Sequence, residues 1–544
     1  MKVRIERDPL GEVRVPAQAL YGAQTQRAVE NFPISGLKPA PELITATVLI
    51  KKAAAQANAS LGRLDAEISA AITAAADKII AGSHREQFVV DVYQAGAGTS
   101  HNMNTNEVLA NLAEEHLGGT RGTYERVHPN DHVNMGQSTN DVFPTATRLA
   151  LLSMLPGCVG AADALADALD AKAREFATVL KTGRTHLMDA VPITLGQEFG
   201  GFAANTRHAS AELARTATQL HELNLGATAV GTGLNAGDDY AARAVAHLAT
   251  AMGVPLRPAD NRFRVTQSMG DVLAFSGALR RLAVELGKIA SDLRLLSMGP
   301  RAGIAEILLP AVQPGSSIMP GKVNPSIPEM VNQVCQQVIG CDAAILSATE
   351  AGQLELNVMM PVIAWNAIHA TRILTQSMLV LRERCVSGIK ADAERCRELL
   401  DRSTALATAL SPHIGYAETA DIAKTAVRTG RSIRELVRER RLLSDAALDR
   451  ILSVDAMTVP GLPGETTDAA AASNHRRDGA RGAGKRAAPA RTSSTAARPP
   501  GPKAAHPPVP AAGPRASGGT GSRRVAAARA DHGRARDRRG KRSR

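Results

Sequence analysis

The sequence predicts a mainly α protein with a central bundle of long helices. Helical periodicity dominates the middle of the chain, and no run of alternating apolar and polar residues competes with it. The most regular stretch repeats apolar residues at spacings of three and four, in the order Val272, Phe275, Leu279, Leu282, Leu286, Ile289, Leu293 and Leu296. Such a heptad seam is typical of a long helix that packs lengthwise against other helices.

The regions around that seam divide the chain into predicted domains. Repeated proline and glycine breaks indicate a smaller, mixed N-terminal domain over residues 1–137. A central helical bundle domain is predicted over 138–396, in which the segment 365–386 carries another apolar stripe. A less regular stripe consists of Leu165, Leu169, Phe176 and Val179. Several helices of this domain can therefore bury a shared face.

Two segments follow the predicted bundle. Residues 397–464 predict a small C-terminal helical domain, with short helices over 431–440 and 443–448. Ser444 is the expected N-terminal cap of the second short helix. Residues 465–544 are rich in Arg, Ala, Pro and Gly, and their only large aliphatic side chains are two valines. Because such a segment cannot bury a core, it predicts a disordered tail.

The positive charge of the chain is concentrated in this tail. The whole sequence carries a formal net charge of +12. From His475 onward there are 19 lysines and arginines against 3 acids, so this part carries +16 and residues 1–474 carry −4. Nucleic-acid binding is therefore indicated for the tail at most, through charge alone. Translation of GC-rich DNA in a shifted frame would produce the same composition.

Composition excludes several other classes of protein. No uninterrupted apolar stretch approaches the roughly 20 residues of a membrane helix, and the N-terminus is charged from its start. The five cysteines are odd in number and include no Cys-x-x-Cys pair, which argues against a disulfide framework or a structural zinc site. We therefore expect a cytoplasmic protein without a membrane partner.

Four segments are dense in small hydroxyls, amides and glycines where a core would place Leu or Val. They are residues 96–107, 128–141, 183–189 and 315–325. Each segment taken singly is most simply a turn. Together they offer hydroxyl donors, amides, a lysine and a histidine without an acidic pair, and this combination predicts a pocket for a small polyanion.

Two other motif interpretations fail. The segment from Gly315 to Lys322 has five residues between its glycines instead of the four of a phosphate loop, and Val323 stands where Ser or Thr would bind magnesium. His128 and His132 are spaced like zinc ligands, but the proline between them disfavours the helical geometry that would bring both to one metal. The sequence therefore predicts neither a nucleotide site nor a metal site.

The segment from Gly315 to Asn324 resembles the Gly-Ser-Ser-x-Met-Pro-x-Lys-x-Asn signature of the aspartase/fumarase superfamily. The similarity extends from Glu6 to about Pro463, which is nearly all of the chain ahead of the tail. The resemblance implies the three-domain fold of that superfamily and an elimination that needs no cofactor. It also implies a homotetramer in which each active site draws on three subunits.

Two branches of the superfamily are compatible with the sequence. Residues 224–232, 328–335 and 351–358 resemble the aspartases, which reversibly eliminate ammonia from L-aspartate to give fumarate. Gly321 and His186 are at least as familiar from the class II fumarases, which hydrate fumarate to malate. The balance of these stretches favours the aspartase branch, and the fumarase branch is the alternative.

The resemblance also implies roles for the catalytic residues. Ser316 corresponds to the base that removes a proton from the carbon beside the β-carboxylate. That step gives the carboxylate a second negative charge, as an aci-carboxylate intermediate. Glycine-flanked backbone N–H groups and the nearby Lys322 would help Ser316 to react as an alkoxide. His186 would lie beside the amino group, and Glu329 would orient its ring.

The remaining predicted residues would bind the substrate. Hydroxyl groups suit the β-carboxylate, because they donate hydrogen bonds without carrying charge. By resemblance these donors are Thr99, Ser138, Thr139 and Ser317. Lys322 and Asn324 would hold the α-carboxylate. Asn140 and Thr185 would surround the amino group.

Overall fold

The structure is a computed structural model that describes residues 2–464, so the predicted tail over 465–544 lies outside the described residues. The N-terminal region opens with an antiparallel hairpin of β1 (Val3–Asp8) and β2 (Gly11–Pro16). Four helices follow, namely α1 (Ala23–Asn31), α2 (Pro41–Ser60), α3 (Ala66–Ile80) and α4 (Thr99–His116). Helices α2, α3 and α4 bury a shared apolar cluster that includes Val48, Ile72 and Val108.

Five long helices form the central bundle. They are α5 (Thr139–Glu175), α6 (Leu195–Ala217), α9 (Gly270–Leu296), α10 (Ser326–Glu350) and α11 (Met360–Arg384). All eight residues of the heptad seam are buried in α9, so the prediction of a long bundle helix is confirmed. Of the less regular stripe, Leu165 and Leu169 lie on α5 and Phe176 and Val179 follow its end, and all four pack in or against the same core. The stripe of the segment 365–386 lies mainly on α11, which ends at Arg384.

Cross-links between the helices give their directions. The Ser276 hydroxyl donates to Asp342 at 2.7 Å, and the Asn332 amide donates to the Gly287 carbonyl at 2.8 Å, so α9 and α10 are antiparallel. Near its end α5 reaches the segment after α11, where Lys172 Nζ donates to a backbone carbonyl. The bundle therefore has an end I, where α5, α9 and α11 begin, and an end II, where these three helices finish.

Short elements connect the bundle helices. An antiparallel hairpin of β3 (Leu180–Thr185) and β4 (Met188–Thr194) lies between α5 and α6. After α6 the chain forms β5 (Glu222–Leu223), α7 (Asp238–Met252), β6 (Arg257–Pro258) and α8 (Arg262–Gln267). A last pair joins β7 (Ile307–Leu308) to β8 (Lys390–Ala391). The sequence did not predict these strands. Gly183 and Pro192 interrupt the alternating pattern of β3 and β4, and the remaining four strands are only two residues long.

Six shorter helices complete the described chain. They are α12 (Ala393–Arg402), α13 (Ala407–Ile414), α14 (Tyr416–Thr429), α15 (Ile433–Glu439), α16 (Asp445–Ile451) and α17 (Val454–Thr458). The two predicted short helices are present as α15 and α16, and the Ser444 hydroxyl caps α16 by accepting from the Ala447 N–H at 3.2 Å. These helices bury their own cluster, in which Leu400, Ile433 and Leu448 are fully enclosed.

The boundaries of the three predicted domains stay a prediction. Helix α2 contributes to two apolar clusters, since Ile44 packs in the N-terminal cluster and Ile50 in the bundle core. Among the described helices, α5 alone is long and apolar enough to cross a membrane, with a mean hydropathy of 1.7 over its most apolar window. It packs against α6 and α11, so the bundle core accounts for its apolar face.

Candidate active site

At end I, the first turn of α5 holds three of the predicted substrate-binding residues. Ser138 is the N-terminal cap, and its hydroxyl accepts the Asn140 N–H at 3.2 Å. The carboxylate of Asp141 accepts the Ser138 N–H at 3.0 Å, which completes a capping box around Thr139. The Asn140 amide donates to the Ala229 carbonyl at 2.8 Å. The segment is therefore fixed before any substrate arrives.

Asp141 also anchors the neighbouring loop. Its second oxygen accepts the N–H groups of Gly226 and Thr228, each at 3.0 Å. Burial raises the pKa of Asp141 to about 7, although its backbone N–H donors pull in the opposite direction. The stretch 224–232, which resembles aspartases, thus packs directly against the predicted substrate segment.

Thr99 lies at the same end of the bundle. It begins α4 directly after Gly98, whose φ is +85° and where a Cβ would lie 2.1 Å from the ring of Phe143 on α5. The Ala97 N–H donates to the Val358 carbonyl at 2.9 Å, just ahead of α11. These contacts bring the segments 96–107 and 351–358 to end I, beside the start of α5.

End II carries the signature loop, residues 315–325. The loop closes on itself, because the Gly315 N–H donates to the Lys322 carbonyl at 2.9 Å and the Asn324 amide donates to the Gly315 carbonyl at 2.8 Å. The Ser316 hydroxyl oxygen accepts the N–H groups of Ile318 at 3.2 Å and Met319 at 3.0 Å. Two backbone donors therefore point at the oxygen of the predicted base, which is the arrangement that favours a negative charge there.

The hairpin residues Thr185 and His186 also project at end II. His186 and the residue after it both have positive φ, 55° and 60°, as in a two-residue hairpin turn of type I′. The base of the hairpin is fixed by the buried Glu306, which binds Arg184 at 2.9 Å and Lys181 at 3.1 Å. Glu329 lies in the first turn of α10. Within residues 2–464 no hydrogen bond or ion pair joins Glu329 to His186.

One copy of the chain does not bring all predicted residues together. Thr99 and the Ser138 segment are held near the start of α11, whereas Asn324 and the C-terminal residue Arg384 of α11 line one small cavity at its other end. Helix α11 has 25 residues, so the two groups are separated by roughly 35 Å at 1.5 Å per residue. A substrate of aspartate size cannot touch both groups in one protomer.

A buried polar network under end I escaped the sequence reasoning. Lys51 of α2 is fully buried, and its ammonium donates to the side-chain oxygens of Asn134 and Gln137, each at 2.9 Å. The signal that could have revealed it is its position on the apolar stripe of Ile44, Val48 and Ala55. A lysine on a buried stripe is unusual, because desolvation disfavours its charged form.

A cavity of about 480 Å³ lies elsewhere at end I and contains none of the predicted residues. Its charged side chains are already matched to one another. Arg148 binds Asp271 at 2.6 Å, and Glu222 binds both Arg257 and Arg264. Three arginines against two acids leave the cavity a net charge of only +1 with which to hold a polyanion.

The histidine pair considered for zinc is used locally. His128 Nδ1 accepts the Asp131 N–H at 3.2 Å, and His132 Nδ1 accepts the His128 N–H at 2.9 Å. In the part of the chain that the structure describes, no group of three His, Cys, Asp or Glu side chains could hold a metal ion. The two histidine side chains therefore form hydrogen bonds within their own loop.

Comparisons with known proteins agree with the motifs. A family model described as lyase matches residues 11–340, and one described as fumarase C C-terminus matches residues 406–459. The chain belongs to the aspartase/fumarase superfamily. It is 53% identical over 462 residues to an aspartate ammonia-lyase from Pseudomonas aeruginosa, an alignment that covers 84% of this chain and 98% of the relative.

Solved structures of superfamily members share the fold. A fumarate lyase/delta crystallin from Brucella melitensis, described as bound to cobalt, matches with a TM-score of 0.82 and 53% identity over 84% of this chain and all of that one. A class II fumarase from Schistosoma mansoni gives a TM-score of 0.81 and 36% identity over the same shares. The predicted fold class is therefore confirmed, and the enzyme class is that of the carbon–nitrogen lyases.

Proposed function

We propose that this protein is an aspartate ammonia-lyase, which reversibly eliminates ammonia from L-aspartate to give fumarate. The observation that carries the proposal is where the aspartase-like stretches lie. Residues 224–232 are hydrogen-bonded to Asp141 beside the Ser138 segment, and residues 351–358 meet the backbone just ahead of Thr99. Identity of 53% to an aspartate ammonia-lyase, against 36% to a class II fumarase, supports the same branch.

The chemistry assigned to the site follows from charge. Removing the proton beside the β-carboxylate turns that group into an aci-carboxylate dianion, and preorganised donors at this charge supply much of the catalysis. Thr99, Ser138 and Thr139 donate from end I. Ser316 removes the proton, and its oxygen is stabilised by the two N–H groups of its own loop. The reaction is redox-neutral, so it needs no redox or organic cofactor.

The other groups bind and orient the substrate in this proposal. Lys322 and Asn324 hold the α-carboxylate, and Ser317 adds a hydroxyl donor from the signature loop. His186, oriented by Glu329, lies beside the leaving amino group with Asn140 and Thr185. One N–H of the Asn324 amide closes the loop, and the amide has a second N–H that remains available for the carboxylate.

We also propose a homotetramer in which the two ends of the bundle meet across subunits. The separation of roughly 35 Å along α11 supports this arrangement, because only another copy can bring a signature loop to an end I. The outer surface of the bundle supports it as well. Beyond the backbone of its own helix, neither Gly277 of α9 nor Gly340 of α10 has a described atom within 4 Å of where a Cβ would be, and Leu346 of α10 is 52% exposed.

Mixing two inactive variants tests the shared site. Ser316→Ala damages end II and Asn140→Ala damages end I, so each alone should be nearly inactive. If the two residues of one site come from different subunits, random hybrids of both variants should regain about a quarter of the wild-type activity. Hybrids with no more activity than the parents would show that both residues come from one subunit.

The branch of the superfamily is decided by an assay. The purified full chain is given L-aspartate, and release of ammonia and fumarate is followed; a parallel reaction gives it fumarate without ammonia, and malate is measured. We expect ammonia release with little malate. Malate as the main product would overturn the proposal in favour of a class II fumarase.

We further propose that the enzyme works in the cytoplasm, since its five cysteines are all buried free thiols.

A further inference from the structure

The buried polar network under end I centres on one amide. Asn134 Oδ1 accepts three hydrogen bonds, from Lys51 Nζ at 2.9 Å and from the side-chain amides of Asn102 and Asn106, each at 3.2 Å. Lys51 belongs to α2 and the two asparagines to α4. This single oxygen therefore ties two N-terminal helices to the segment that leads into α5.

The second bond of Lys51 points towards the substrate segment. Its ammonium donates to Gln137 Oε1 at 2.9 Å, and Gln137 is the residue immediately before Ser138. The Gln137 amide then donates to the carbonyls of Val133 and Met135. Lys51 thus holds the side chain of the residue that precedes the substrate segment, and Asp141 holds the backbone from the other side.

Burying this polar network in the core costs free energy of folding. Burial lowers the pKa of Lys51 to about 7, against which the charge of Asp141 acts. The side-chain oxygens of Asn102 and Asn106 accept no hydrogen bond from residues 2–464. A partly satisfied buried network is less stable than well-packed apolar side chains of similar volume. Stability alone therefore does not explain a lysine at this position.

We propose that Lys51 is a positioning residue that sets the geometry of Ser138, Thr139 and Asn140 through Gln137 and Asn134. The inference rests on the proposed function, because it gives that segment its role in binding the β-carboxylate and amino group. Lys51 itself touches no substrate. Its contribution is to hold donors at the developing charge, where a small displacement is costly.

The test compares Lys51→Met with Lys52→Met. Methionine keeps most of the stem and removes the charge, and Lys52 is a matched control on the same helix, paired with Asp77 and partly exposed. We expect Lys51→Met to lower kcat for aspartate about tenfold or more while KM changes less, because the displaced donors matter most in the transition state. Lys52→Met should stay within about twofold of wild type.

Two measurements separate positioning from folding. The melting temperature of Lys51→Met should stay close to that of wild type, because relief of the desolvation of Lys51 offsets the loss of its two hydrogen bonds. Hydrogen exchange of the backbone amides over residues 135–141 should become faster in Lys51→Met and stay unchanged in Lys52→Met. Adding Gln137→Met should cost less activity in Lys51→Met than in wild type, because both changes break the same connection.

The outcomes distinguish this inference from the proposed function. If the wild type acts on fumarate and malate and not on aspartate, the proposed function fails, and the same kcat comparison is made with malate. If Lys51→Met retains wild-type kcat and exchange rates, the positioning role is wrong whatever the substrate. A loss of activity accompanied by a fall in melting temperature and faster exchange throughout residues 2–464 would assign Lys51 a structural role instead.

Discussion

The two ends of the bundle are built in opposite ways. At end I the half-buried substrate segment is held by its own protomer, through the capping box of Asp141 and the buried contacts of Lys51. At end II the signature loop bonds mainly to itself, and Ile318 at its tip is 83% exposed. End I is therefore a rigid binding surface, and end II carries an exposed loop. Such a difference is expected when a site is completed between subunits.

The largest effect should come from the oxygen at the centre of the loop. We expect Ser316→Ala to abolish ammonia release while aspartate still binds, because the base is lost and the carboxylate donors remain. Steady-state kcat and equilibrium binding of aspartate are the measurements. Ser387→Ala is the matched control, since Ser387 is exposed and its hydroxyl bonds only a neighbouring carbonyl. Retention of more than about a tenth of the wild-type rate would rule out Ser316 as the base.

The next largest effect should come from the charge of the loop. Lys322→Met keeps much of the stem and removes the ammonium, so KM for aspartate should rise steeply, and kcat falls too if the substrate is misplaced. The wild-type KM should also rise with salt, because screening weakens attraction of the carboxylates. Lys424→Met on the exposed face of α14 is the control. If Lys322→Met moves KM by less than about twofold and leaves its salt dependence intact, the loop does not bind the α-carboxylate.

The comparison also separates what the sequence could predict from what it could not. The heptad seam predicted α9 because burial with a period of 3.5 residues leaves a direct mark on the order of apolar side chains. The cap at Ser444 was predictable for a similar reason, since the motif is local in sequence. The strands of the hairpin before α6 were not, because Gly183 and Pro192 break its pattern.

Site residues were recognisable by type but not by place. The four polar segments were identified because they have hydroxyls and amides where a core needs apolar groups. The sequence did not indicate that two of these segments lie at one end of a long helix and two at the other. Lys51 was missed because its partners are 83 and 86 residues away. Contacts at such separations depend on the packing of α2 beside the start of α5, which local patterns do not encode.

A smaller effect should appear at end I, in the pH dependence of stability. The pKa of Lys51 falls from 10.5 to about 7 on folding, so between these values the unfolded chain binds the additional proton and the wild type gains stability as pH rises. Lys51→Met lacks this gain. Its melting temperature relative to wild type should therefore be highest near pH 7 and decline towards pH 10. Lys52→Met should show a flatter difference, and equal slopes for the two variants would contradict the lowered pKa of Lys51.

The smallest effect should follow removal of residues 465–544, which lie outside the described residues. We expect the shortened chain to keep its activity and melting temperature, because the deleted segment has almost no side chains able to bury a core. Ammonia release and thermal unfolding of the full and shortened chains test this. Since the tail carries the excess positive charge, filter binding of nucleic acid should fall to background without it if the tail binds polyanions at all. A clear loss of activity or stability would instead mean that the tail contacts residues 1–464, and variants at end I and end II in the shortened chain would then identify which end it supports.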